Sequence, residues 1–485
     1  MVPKRISPAI QRGLIGAVIL SLSWQNARAE QDDDLDLIPD SISAAQPAVP
    51  PRASAGRNFY KFYIEDEAQI NSRRHDTLLP LPRAYVPAWS NRTTFYGKAD
   101  IRLLPSLNFT IVDRLNHLSD GYSGFPSGRA QNDLNEAYLS WNAFGENYLD
   151  AGRINLKSGV AIGFNPVDFF RKNSVSLRTS EDPMVLRENR LGTVMARTQS
   201  MLPFGSLTLA AAPRISDRPG LAITDKSDLA LSLHRTNSRP RYLAKVSSSY
   251  KGLSSDLLYY SENSNPFIGA DLSHGVGDKI VVYGEWSGGK RYSLTADALL
   301  YDANLYGIDA APYAGYVPGD SRRRFRSEAV AGFSFTESEH KRSTYIEYHY
   351  NEAGMSNRDW RNWFAAGYVE ELYNYPELSP LFEKTNVALW SIRDFAQRNM
   401  APASRQQVFI RSQWQEAFVK KLDLANLLQI NSVDLSFFAQ SSAKYNLNDN
   451  LIIGLTFYFY AGPGSSEYGS VNKWNAIKPA ITCLF

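Results

Sequence analysis

The stretch that most limits the fold is Leu451 to Tyr460, LIIGLTFYFY. Leu451, Ile453, Leu455, Phe457 and Phe459 share one face of a strand; Ile452, Gly454, Thr456, Tyr458 and Tyr460 share the other. A strand sends alternate side chains to opposite sides. One face is wholly apolar and suits lipid. The other is small or hydroxylated and suits a wet lumen. The final run has the same period, with Ile477, Pro479, Ile481, Cys483 and Phe485 opposed to Trp474, Ala476, Lys478, Ala480 and Thr482. Each run is about ten residues, the length a tilted strand needs to cross hydrocarbon. A soluble β-sandwich also alternates, so this hairpin alone does not decide between the two.

The connections decide it. From Arg57 onward, tight turns at Pro105-Ser106, Phe144-Gly145-Glu146, Pro203-Phe204-Gly205, Lys251-Gly252, Gly275–Asp278, Glu337-Ser338-Glu339 and Asn448-Asp449 use the residues such turns demand. They alternate with long polar connections at 72–91, 118–133, 156–190, 214–239, 288–323, 353–404 and 462–472. Sorting by length in this way predicts an all-β, transmembrane antiparallel barrel with short periplasmic turns and long extracellular loops. About 18 strands fit, with 16 or 20 as alternatives. Charge on one face only marks the lumen: Ile346, Tyr348 and Tyr350 face out while Tyr345, Glu347 and His349 face in. In the same way Val408, Ile410 and Trp414 oppose Phe409, Arg411 and Gln413. Arg153 shares the outward face of Leu149 and Ala151, which requires either a rim position or a bulge. Asp228–His234 and Tyr292–Tyr301 are assigned to loops, the latter with a helical period as well as a strand period.

Composition narrows the class. The 27 Tyr, 24 Phe and 9 Trp suit the aromatic girdles of a barrel. A net charge of +3 gives no basis for nucleic-acid binding. The single Cys483 permits no internal disulfide and no cysteine-based metal site, and nothing implies a cofactor. Lys4, Arg5 and Arg12, the apolar run Gly13–Leu22 and the small-x-small Ala27-Arg28-Ala29 read as a signal peptide over 1–29. Residues 30–56 are acidic, then rich in Pro, Ala and Ser, and read as a flexible periplasmic tail. The barrel then occupies 57–485.

The least ordinary loop is 156–190, LKSGVAIGFNPVDFFRKNSVSLRTSEDPMVLRENR. Val160, Ala161, Ile162, Phe164, Val167, Phe169 and Phe170 need shelter from water. The barrel interior would shelter them. An inward loop would narrow the bore and bring Lys157, Arg171, Lys172, Arg178, Arg187 and Arg190 into it, with Arg197 and Arg411 on the wall. These residues are the candidate constriction and solute site. Six basic residues in the loop stand against Asp168, Glu181, Asp182 and Glu188, and rings of Arg and Lys favour anions. Inward acids such as Glu136, Glu285 and Glu347 provide the alternative that individual arginines pair within the wall. In 353–404, Trp360, Trp363, Phe364, Tyr368, Leu372 and Tyr373 approach a helical period before Pro376 and Pro380; they would pack the loop or present a sugar-stacking platform.

The segment GRINLKSGVAIGFNPVDFF at 152–170, with NEAYLSW before it and YIEYHYNEAG at 345–354, resembles outer-membrane porin-like families of Gram-negative bacteria, including 18-stranded channel and exopolysaccharide-export barrels. The resemblance implies an inward loop and a terminal aromatic, Phe485, read by the outer-membrane assembly machinery. It also implies a surround of outer-membrane lipid and lipopolysaccharide. The expected function is a channel or export pore for small anionic or saccharide-like solutes. The alternative is a non-conducting surface barrel that anchors polysaccharide or another partner through its long loops. No GxSxG elbow or HExxH spacing points to catalysis, and Glu347 with His349 reads as a wall hydrogen-bond pair.

Overall fold

The computed structural model describes residues 58–485 except 75–76, 79–85, 120–127, 143–144, 219–226, 307–319, 321 and 368–378, with backbone alone in 301–306 and 379–388. The expected signal peptide and tail lie outside the described residues. Strands β1 (Phe59–Arg73), β2 (Trp89–Leu104), β3 (Leu107–Ser119), β4 (Arg129–Asn142), β5 (Asn147–Ile154) and β6 (Thr193–Leu202) come first. They are followed by β7 (Gly205–Ala212), β8 (Arg241–Tyr250), β9 (Leu253–Glu262), β10 (Asn265–Val276), β11 (Ile280–Arg291) and β12 (Arg324–Glu337). The last six are β13 (Arg342–Asn351), β14 (Gln406–Trp414), β15 (Leu422–Asn431), β16 (Phe437–Asn448), β17 (Leu451–Ala461) and β18 (Lys473–Leu484).

Each strand pairs antiparallel with its sequence neighbour. Strand β1 pairs with β18, Ile64 opposite Cys483 and Ile70 opposite Ile477, so 18 strands close into a barrel with no free edge. A two-residue strand, Ser227–Asp228, lies outside the ring and pairs parallel with Ala130 and Gln131 of β4.

The wall follows the alternation. Ile453, Leu455, Phe457 and Phe459 are exposed on the outside, while Tyr458 and Tyr460 between them are buried. Tyr348 is exposed outward between the buried Glu347 and His349. The buried face is inside and largely polar, so the apolar surface is the outer one, as lipid requires. Asp66 is an exception: it stands on the outer face of β1 and accepts from Thr93 Oγ1 at 2.7 Å and Asn91 Nδ2 at 3.2 Å.

Arg153 takes the rim position. Its Nε donates to the Gly192 carbonyl at 3.0 Å and its Nη1 to that of Leu231, where β5 ends and the loop begins. The sorting of connections has two exceptions. On the side of the long loops, β9 and β10 are joined by Asn263-Ser264 alone, and β15 and β16 by residues 432–436. Both are tight because their strand pairs carry full registers to the end, as in Glu262 opposite Asn265.

The long loops hold helices α1 (Pro183–Asn189), α2 (Leu294–Tyr306), α3 (Asn357–Gly367) and α4 (Ser379–Arg398). The ambiguous run at 293–300 is thus helical, within a loop. Residues 228–234 contain the end of the short strand and the start of one helical turn, Leu233–Thr236. Pro380 does not end a helix. It sits in the first turn of α4, where a missing N–H costs nothing.

Candidate functional site

The loop after β5 has an apolar first half, and the structure buries it. Ala161, Ile162, Val167 and Phe170 are nearly inaccessible. Phe169 stacks on the inward Tyr260 of β9 at 4.7 Å, with the rings nearly parallel. Ile162 packs in one cluster with Phe409, Phe438 and Tyr458 from the far wall.

Burying a loop strands its backbone donors unless acceptors are provided. Two wall carboxylates provide them. Glu347 of β13 accepts from the backbone N–H of Ile162 at 2.7 Å and of Gly163 at 3.0 Å. Tyr283 Oη donates to the same carboxylate at 2.7 Å, and His349 Nε2 lies 2.8 Å away. Glu285 of β11 accepts from the Ala161 N–H at 2.6 Å and from Asn165 Nδ2 at 3.3 Å. Glycine permits the approach. A Cβ on Gly163 would fall 2.8 Å from Glu347 Oε2, and one on Gly159, at φ +91°, 2.6 Å from Glu285 Oε1.

The second half of the loop is held by ion pairs. Asp168 is buried and faces two guanidinium groups, Arg190 Nη1 at 2.8 Å and Arg187 Nε at 3.2 Å. Burial alone would raise its pKa, but Arg190 and Arg187 outweigh burial and hold it below the usual carboxylate range. The same arginines clamp the loop's backbone: Arg187 donates to the Ser158 carbonyl at 2.7 Å and Arg190 to that of Leu156 at 2.8 Å. Asp182 caps α1 by accepting from Met184 N, and Pro183 supplies the first helical residue. Its other oxygen accepts from Arg411 of β14 at 2.9 Å.

All eight basic residues expected in the site have a carboxylate within ion-pair distance. Lys157 meets Glu188, and Arg178 meets Glu181. Arg171 meets Glu328 at 2.6 Å, and Arg197 meets Asp150 at 2.6 Å. Lys172 lies 3.5 Å from Asp297 and 3.8 Å from Glu262, and Asp297 raises its pKa above the ordinary lysine value. Arg187 and Arg190 share Asp168, and Arg411 has Asp182. The structure therefore gathers Arg187 and Arg190 on Asp168 within the loop and ties the loop to the wall through Arg411 and Asp182, whereas Arg197 pairs with Asp150 inside the wall and Lys172 with carboxylates outside the loop.

The contacts of 155–190 reach round the inner wall. They include Asn189 with Arg114 of β3, Arg190 O with Asn135 of β4, and Arg171 with Glu328 of β12. They continue through Arg411 of β14 and Tyr460 of β17 to Lys478 of β18, which donates to the Thr179 carbonyl at 3.1 Å.

The aromatic run of 353–404 is interior rather than displayed. Trp360, Trp363 and Phe364 of α3 pack against Leu389, Ile392 and Phe395 of α4. Arg393 lies over the Trp390 ring at 4.6 Å. Tyr368, Leu372, Tyr373 and Pro376 lie outside the described residues. Beside this core Glu467 is buried, and burial pushes its pKa up to about 7.

Sequence reasoning paired Glu347 with His349, which the structure bears out, but missed the loop amides as partners of Glu285 and Glu347. Their signal was the pairing of an apolar loop, rich in buried amides, with inward acids on strands that have no basic neighbour in register. It missed Asp168 as the shared anion of Arg187 and Arg190, because loop residues 19 and 22 positions apart give no periodic signal.

A closed ring of 18 strands, apolar outside and polar within, and filled from the side by one loop, settles the architecture. It is porin-like. No family model matches the sequence, and no curated protein matches it. Solved structures similar to it include OccAB1 of Acinetobacter baumannii, at 7% identity and TM-score 0.48, over 88% of this chain and 96% of that one. OprB of Pseudomonas putida has 10% identity and TM-score 0.45, over 88% and 94% of the two chains. A mutant porin of Rh. blastica has 10% identity and TM-score 0.39, over 88% and 100%.

Proposed function

We propose that this barrel is a passive channel of the outer membrane whose bore is narrowed by residues 156–190, and that it passes small anionic or saccharide-like solutes. One observation carries the reading: a single loop is hydrogen-bonded to inward residues from β3 round to β18. A loop so held reduces the cross-section without closing the ring itself. The greasy outer wall supports a lipid surround, with lipopolysaccharide outside and Phe485 as the segment offered to the assembly machinery.

The anion preference is mild in this reading. The loop has more basic than acidic residues, but wall and helix carboxylates such as Glu328, Glu262 and Asp297 offset much of the surplus. Reversal potential in a salt gradient across a planar bilayer tests it. A modest shift toward the anion's equilibrium potential is expected, and cation preference would reject the solute class. Absence of any conductance would favour the second reading, a surface barrel. That reading draws on the apolar core joining α2, α3 and α4, which gives the loop side a platform of its own.

A further inference from the structure

Every basic group of the loop has a carboxylate within ion-pair distance, several of them shared, and beside Glu262 on the loop-side rim the cations outnumber the carboxylates. Glu262 closes β9, and the next strand begins after only Asn263-Ser264, so no long loop from that hairpin covers it. Arg241 opens β8 directly opposite Glu262, its Nε 3.4 Å from Oε1. Arg241 is 1% exposed, and its Nη1 has no hydrogen-bond partner among the described residues. Lys172 approaches the other oxygen of Glu262 at 3.8 Å and Asp297 at 3.5 Å. Arg239, two residues before β8, is exposed; it acts on the charges of both Glu262 and Lys172, and it has no ion pair of its own among the described residues. Arg323 is exposed, lies within electrostatic reach of Glu262, and donates to the Lys290 carbonyl at 3.3 Å.

Four cations thus act on Glu262, and of the four Lys172 alone has an ion pair with Asp297 among the described residues. A buried guanidinium N–H without an acceptor is costly, and a planar fork of donors suits an oxyanion. Nearby Arg322, Arg324 and Arg326 also outnumber their one carboxylate, but each of them lies within 3.5 Å of Asp320.

We propose that Arg239, Arg241, Lys172 and Arg323 form an oxyanion-binding subsite on the rim beside Glu262, which takes a phosphate or carboxylate group of the solute before it reaches the stapled loop. Arg241 and Lys172 form the floor, already in contact with Glu262. Arg239 and Arg323 supply the exposed donors. The subsite names a first contact for the anionic solute of the channel reading and rests on that reading for the solute's route, not for binding itself.

The test is equilibrium binding of inorganic phosphate to the detergent-purified full chain at low ionic strength, with conductance recorded separately. Saturable, salt-sensitive binding is expected. Arg239→Gln with Arg323→Gln, both at exposed positions, should weaken it by about tenfold or more. Arg322→Gln should leave it unchanged. No saturable binding by the unaltered chain would overturn the proposal, as would equal affinity in the double variant. A non-conducting barrel that still binds phosphate through Arg239 and Arg323 would reject the channel and keep the subsite; a conducting barrel that binds none would do the reverse.

Discussion

Replacing Glu347 with alanine isolates what holds the loop inside the barrel. The carboxylate accepts from two loop amides, Ile162 at 2.7 Å and Gly163 at 3.0 Å, and from Tyr283 and His349 of the wall. Glu347→Ala leaves both amides without an acceptor in a site where Ile162 is 3% exposed. A buried donor left unsatisfied costs about 1–3 kcal/mol, so the two together cost about 2–6 kcal/mol. Truncation opens room for water to satisfy part of this, which favours the lower end. At about 2 kcal/mol, local opening of the loop becomes about 30 times more frequent. Hydrogen–deuterium exchange of peptides covering 157–166 reads this directly, because exchange there requires the amides to open. Exchange at least about 30-fold faster is expected in that segment, with the strands β15 to β17 unchanged. Exchange in 157–166 equal to that of the unaltered chain would refute the reasoning, since the carboxylate would then not be what holds the loop.

Two further substitutions probe the staples. Asp168→Asn keeps the shape but leaves Arg187 and Arg190, 7% and 2% exposed, without their anion; a loss of about 3–5 kcal/mol is expected as a lower thermal transition of the folded barrel. Because Asp168 is held below the usual carboxylate range, its contribution is present above that range and is lost only as pH falls through the depressed value. Glu467 behaves in the opposite sense. Its pKa is raised from 4.5 to about 7, so the folded state keeps a proton that the unfolded chain has lost. The stability it contributes is full below 4.5 and is lost as pH rises through about 7, a difference of order 3 kcal/mol. Trp360 donates to Ser404, which in turn bonds to Glu467, so tryptophan fluorescence melts should show the loss between pH 5 and 8 and its absence in Glu467→Gln.

All 18 strands were legible because, apart from positions such as Asp66 and Arg153, they obey one rule that the two solvents impose. A residue such as Leu455 or Tyr348 must face lipid, and its neighbours must face the lumen, so the period of two survives along the wall. The inward fold of 156–190 was legible for a related reason: Ala161, Ile162 and Val167 had no other place to be dry. What escaped the sequence was pairing across long separations. Glu285 meets Ala161 124 positions away, and Arg411 meets Asp182 at 229, and no local pattern encodes either. Helices α3 and α4 were half legible. The aromatic period at Trp360 and Trp363 was visible, but Pro380 was read as a stop when its place in a first turn makes it compatible with a start.

The most direct test of the whole account is single-channel conductance with and without the loop. If 159–184 is replaced by a short Gly-Ser turn, the barrel remains closed by its own strand pairing, and the bore loses what spans it. The account predicts a small, steady conductance for the intact chain and a severalfold larger one for the shortened chain. Equal conductance in the two, or none in either, would contradict it.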